Sequence, residues 1–180
     1  MLDWGGGSSG RERLLVCLDL QRGSIADGRA PDGCLVNCRR MLAHARHEGW
    51  RVVHVHSKKP DPAHAQPIEG LEPLLSEPVL YRSGLSAFSN RAFREMVEGR
   101  RSAELVIIGY SMTSALVGTA LIAHEEALSV VMVEDAICSA VLDPATRDAI
   151  ELLGRRVATP FATLACTDDV IGVARLRRVV

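Results

Sequence analysis

Short, continuously apolar runs separated by helical stretches constrain this sequence more than any other feature. Leu14 to Leu18 (LLVCL), Arg51 to His56 (RVVHVH), Leu105 to Ile108 (LVII) and Ser129 to Val133 (SVVMV) are strand-length and apolar or β-branched. A strand without polar alternation is covered on both faces, which is the signature of a parallel sheet between helices. The intervening segments fit. From Gly33 to Trp50, Leu35, Cys38, Leu42 and Ala45 recur at helical spacing, with Asp32 as cap and Gly49 as stop. Residues 57 to 78 hold Pro60, Pro62, Pro67, Pro73 and Pro78 and read as a loop. Val79 to Arg82 is a brief strand, and Ser89 opens a polar helix running to about Gly99. Gly109 ends the LVII strand, residues 114 to 127 are helical, and Asp143 to Leu153 is a helix. A weaker strand near Arg156 to Ala158 closes the alternation.

Strand and helix alternating through one chain of 180 residues give an α/β domain in three layers, α/β/α. Residues 1 to 12 (MLDWGGGSSGRE) form a flexible leader, and residues 13 to 180 form the single domain. In the common doubly wound order, 3-2-1-4-5-6, strands one and four are neighbours and the order reverses between them. Ligands then bind at the carboxyl ends of the strands beside that reversal. This directs attention to Asp19 to Gly23 and to Gly109 to Thr119.

Charge and cysteine content narrow the setting. The balance is 21 basic against 22 acidic residues, so no field gathers nucleic acid or an anionic membrane. No Arg/Lys-headed apolar segment opens the chain, and no apolar run is long enough to span a bilayer. Five cysteines (17, 34, 38, 138 and 166) have irregular spacing and no CxxC pair. A disulfide framework or a structural zinc site is not expected, and a reducing cytoplasm is the expected location. His54, His56 and His64 lack a convincing set of metal ligands around them, so no metal and no cofactor are expected.

Three segments carry candidate chemistry. Asp19 and Gln21 directly follow the first strand, where a partly desolvated carboxylate suits proton transfer. Arg82 ends the third short strand with Phe88 just beyond, a cation able to hold a carboxylate. In residues 104 to 127 a strand runs through Gly109 into a polar turn and a small-residue helix, whose first amides have no intrahelical partners. Ser111, Thr113 and Ser114 are nucleophiles by type, yet no base lies next to them in sequence, and helix capping is the simpler role.

Taken in order, these segments resemble the isochorismatase-like superfamily of hydrolases, which includes nicotinamidases and other cysteine amidohydrolases. The matching residues are Asp19-Leu20-Gln21, a cation before Ser86-Ala87-Phe88, Gly109 with Thr119-Ala120, and Asp135-Ala136 after the SVVMV strand. The resemblance runs from about Leu14 to Ile171. It implies a catalytic set of Asp19, Arg82 and Ala115, with Gln21, Phe88, Tyr110, Ser111, Ser114 and Thr119 lining the substrate site. It also implies a cis peptide between Tyr110 and Ser111.

Two departures qualify the expected activity. Ala115 stands where the family's amidohydrolases have a nucleophilic cysteine, and Arg82 stands where they have lysine. Arginine keeps the charge but does not shuttle a proton. Authentic isochorismatases resemble this chain in having a small residue at the nucleophile position, and they protonate a vinyl ether with the aspartate. The expected function is therefore acid-assisted hydrolysis of a small, anionic molecule by Asp19 without a thiol intermediate, in a homo-oligomer. The alternatives are a catalytically silenced binding or scaffold protein, and a cysteine hydrolase whose nucleophile was replaced by Ala115.

Overall fold

A computed structural model describes residues 12–25, 33–100, 102–139 and 143–172. The expected leader, apart from Glu12, and the Asp32 cap lie outside them. In chain order the elements are β1 (Arg13–Leu18), α1 (Cys34–His47), β2 (Arg51–Ser57), α2 (Pro62–Ala65), β3 (Val79–Arg82), α3 (Arg91–Glu98) and β4 (Glu104–Tyr110). There follow α4 (Val117–Glu125), β5 (Ser129–Cys138), α5 (Pro144–Ala158), β6 (Thr163–Ala165) and α6 (Thr167–Val170). All strand pairings are parallel, in the order β3-β2-β1-β4-β5-β6, so the expected doubly wound sheet is present.

The sheet buries both faces, as its apolar strands require. On one face Leu14, Val16, Leu18, Val53, Val55, Leu105 and Ile107 pack against Phe93 and Val97 of α3, Ala120 and Ala123 of α4, and Ala158 of α5. On the other, Leu15, Cys17, Val106 and Ile108 pack against Cys38, Met41, Leu42 and Ala45 of α1. The alternation along β1 thus feeds two cores from one strand.

Several boundaries differ from the sequence reading. Gly109 does not end β4 but lies within it at φ 124, paired with Leu18, and a Cβ there would collide with the Leu18 carbonyl oxygen. α3 is capped by Asn90, whose side chain accepts from Phe93 N, while Ser89 instead uses its hydroxyl to hold the turn at residues 83 and 84. The proline-rich segment contains the single-turn α2, started by Asp61 and Pro62. Arg156 to Ala158 are the end of α5 rather than a strand, and the edge strand follows at Thr163–Ala165. A polar turn of wide π geometry, Met112–Leu116, precedes α4, so helical backbone begins before Ser114.

The expectation of no disulfide is also corrected. Cys34, at the first position of α1, is bonded to Cys138 at the end of β5 across 104 residues. Packing of α1 on β5 brings their Cα atoms to 5.7 Å. Neighbours in space, not in sequence, made the pair.

Candidate functional site

Where β1 ends, the chain must leave the sheet, and Asp19 does so at φ 49, in the left-handed region that aspartate tolerates. Its N–H still donates to Val55 O on β2 at 2.9 Å, which fixes the turn to the sheet. The carboxylate is turned toward Arg82. Arg82 ends β3 at the edge of the sheet, in register with Ser57 of β2, and its side chain reaches Asp19 beyond the end of β2. Nη2 donates to Asp19 Oδ2 at 2.6 Å, and Nε lies 3.2 and 3.3 Å from the two carboxylate oxygens. Nη1 donates to the Gly84 carbonyl. Each nitrogen of the guanidinium therefore has a partner. The Asp19 side chain is 7% exposed and that of Arg82 15%, a pair largely withdrawn from water.

Gln21 is fully buried and spends its amide on the frame. Its Oε1 accepts from Ser57 N at 3.1 Å and from Ser57 Oγ at 3.3 Å, while Nε2 donates to Ala65 O at 3.3 Å. It ties the loops after β1 and β2 together behind Asp19.

The third segment is built around Thr119. Its Oγ1 donates to Ala115 O at 2.6 Å and accepts from Ala87 N at 3.0 Å. One buried hydroxyl thus joins the Ser86-Ala87-Phe88 turn to the turn holding Ala115. Ala115 itself is fully buried in the core shared with α3 and α4. The Tyr110–Ser111 peptide is cis. Ser111 O accepts from Ser114 N and Leu116 N at 3.3 and 3.4 Å, closing the wide turn.

The residues singled out from sequence separate into groups. Asp19 and Arg82 meet directly. Gln21 and Thr119 are buried and hydrogen-bonded to the loops around the pair. Phe88 packs edge-on against Phe93, ring centroids 5.1 Å apart, in the α3 core. The Tyr110 ring lies in the opposite core, on the α1 face. Ser111 and Ser114 are half-buried.

No free cysteine takes the place of Ala115, the position that the resemblance assigns to a nucleophile. Cys17 and Cys38 lie in the α1-side core, across the sheet from Ala115. Burial pushes the Cys17 thiol up, and that of Cys38 to about 12, so neither offers a thiolate nucleophile near neutral pH. Cys166 donates to Glu134 Oε1 at 3.4 Å, beyond the other end of the sheet from Arg82.

One neighbour escaped the sequence reading as a site residue. His56, almost wholly buried on β2, has an Nε2 without a hydrogen-bond partner among the described residues. Burial, aided by the nearby His54, pushes its imidazole down to about 4, against the opposing pull of Asp19. Alternation of His54 and His56 along β2 was legible, but nothing in the spacing tells that the second of them feels the charge of Asp19. His54 is instead held structurally, 3.0 Å from Glu77, which Arg46 grips with two nitrogens at 2.8 and 2.9 Å.

Comparison with known proteins agrees with this fold. The Isochorismatase domain family matches residues 13–169. No curated protein matches the sequence. Among solved structures, an isochorismatase from Pseudomonas putida KT2440 is 22% identical, with a TM-score of 0.77 over 88% of this chain and 89% of that one. An isochorismatase family protein from Desulfovibrio vulgaris is 24% identical, with a TM-score of 0.73 over 91% and 100%. A ribonuclease from Caenorhabditis elegans shares the fold at 15% identity, with a TM-score of 0.73 over 89% and 80%. The same scaffold therefore carries proteins named for different chemistry, and function must be argued from the site.

Proposed function

Because the chain belongs to the isochorismatase family, we propose that it is a hydrolase of a small, carboxylate-bearing molecule. It works through Asp19 and water, with no covalent thiol intermediate. The observation that carries this reading is the buried Asp19–Arg82 pair, with Asp19 at the end of β1 where the strand order reverses; the resemblance assigns the nucleophile position to Ala115, which has no thiol.

The pair suggests how an anionic substrate is selected. Arginine is a planar fork that takes a carboxylate in two-point contact. A substrate carboxylate that replaces Asp19 on Arg82 releases the Asp19 carboxyl group from that contact and leaves it facing the substrate as the general acid. That acid then protonates the substrate, and water attacks the resulting cation. An enol ether suits this route, since its carbon accepts the proton and water releases the alcohol. Cleavage of an amide through an acyl-thiol does not, because Ala115 supplies no sulfur.

A second reading is favoured by the same pair: with every guanidinium nitrogen occupied internally, the site is closed on itself and silent. The experiment compares the parent, Asp19→Asn, Ala115→Cys and Ala115→Cys with Arg82→Lys against vinyl ethers bearing a carboxylate and against small amides. Turnover of a vinyl ether by the parent, lost in Asp19→Asn, supports the proposal. An inert parent whose double variant gains amidase activity identifies a silenced cysteine hydrolase and overturns it.

A further inference from the structure

Outside the Asp19 site, the structure gathers a second set of reactive side chains. Cys34 and Cys38 lie one helical turn apart at the start of α1, and Cys138 ends β5 beneath them. All are buried, and their sulfurs lie within 4.8 Å of one another. In a tetrahedral zinc site, with Zn–S of about 2.3 Å, sulfurs stand about 3.8 Å apart, so small side-chain rotations bring this set to ligand spacing.

The surroundings suit a bound cation with thiolate ligands. Cys34 is the first residue of a 14-residue helix whose first turn holds no acidic residue and whose N-cap makes no side-chain bond. The amides of a helix's first turn, which have no intrahelical partner, favour a negatively charged sulfur. A separate observation points the same way. Tyr110 is paired in register with Cys138, its ring shares the core with all three cysteines, and its buried hydroxyl has no hydrogen-bond partner among the described residues. An orphaned buried hydroxyl is costly unless something meets it, and a metal accepts phenolic oxygen as a fourth ligand.

We propose that Cys34, Cys38 and Cys138, in their reduced state, bind a thiophilic divalent cation of the zinc class. The Cys34–Cys138 disulfide is the alternative, metal-free state of the same site. Passage between them needs a dithiol reductant. The S–S bond breaks, Cys34 and Cys138 gain a hydrogen each, and the dithiol closes to its own disulfide. The cation then displaces the thiol protons to solvent as its bonds to sulfur form.

Cobalt(II) is the probe, since tetrahedral cobalt thiolates absorb through sulfur-to-metal charge transfer. The full chain, reduced by a dithiol, freed of excess reductant and kept without oxygen, is expected to take up about one Co²⁺ with that absorption, which Zn²⁺ then bleaches. Protein oxidised to the disulfide is expected to show none. Cys34→Ser, Cys38→Ser and Cys138→Ser should each weaken binding by about tenfold or more, while Cys17→Ser and Cys166→Ser bind as the parent does. Tyr110→Phe should shift the visible cobalt bands. Urea unfolding without metal is measured for each variant, and Cys38→Ala repeats the test in an apolar background. Charge transfer that survives in both Cys38 variants, or is absent from the reduced parent, overturns the proposal.

Discussion

At the scale of the residue, His56 and Glu77 make folding sensitive to acid in two separate windows. His56 titrates at about 4 in the fold against about 6.5 in an unfolded chain. The unfolded state therefore binds the extra proton between those values, and stability is full above pH 6.5 and falls as pH drops toward 4. The loss is of order 3 kcal/mol. Glu77, held at about 2 although burial opposes it, through hydrogen bonds from Arg46, Leu74 and His54, adds a second loss below pH 4.5. Urea unfolding against pH is expected to show both limbs, with the upper one reduced but not abolished in His56→Gln, because burial also holds His54 below its ordinary value. Glu77→Ala at neutral pH leaves Arg46 and His54 without their acceptor and is expected to cost on the order of 3 kcal/mol. Gly109 is a backbone requirement rather than a charge. Gly109→Ala places a Cβ against Leu18 at positive φ and is expected to destabilise by more than about 1 kcal/mol in the same assay.

At the scale of the element, Thr119 joins α4 to the turn after β3. Thr119→Val keeps the shape but leaves the buried Ala87 N–H without an acceptor, at a cost of about 1–3 kcal/mol. If the turn positions Arg82, hydrogen exchange at residues 83–89 should rise with that change while α5 is unaffected. The elements were also where sequence legibility varied. β1, β2 and β4 were readable because apolar strands buried on both faces lack any competing pattern. The end of α5 was misread because Arg156 to Ala158 is as short and mixed as the true edge strand Thr163–Ala165, and an edge strand of three residues carries almost no periodicity. Asp19 and Arg82 were legible as strand-end residues. The roles of His56, Gln21 and Thr119 were not, because hydrogen-bond partners across a sheet leave no trace in spacing. The cluster of Cys34, Cys38 and Cys138 was half visible, since its third member lies 104 residues from its first.

At the scale of the whole molecule, no helix among the described residues is long and apolar enough to cross a membrane. The Cys34–Cys138 bond closes a loop of more than half the chain and so restricts the unfolded state strongly. Chain-entropy arguments put this near 4–5 kcal/mol for such a loop. Metal-free protein treated with a dithiol is thus expected to unfold at lower urea than the oxidised form, with Cys34→Ala insensitive to the reductant.

The strand order has a consequence for how the chain comes into being. β1 is central, yet its partner on one side, β4, lies 91 residues downstream by the Arg13–Glu104 pairing. A polypeptide emerging from the ribosome at about 5–20 residues per second holds β1 half-paired for several seconds before β4 exists to cover it. During that interval Leu14 to Leu18 is an apolar strand with one open edge, the kind of segment that chaperones shield. The reversal that creates a binding crevice in the finished protein is thus also what delays its assembly.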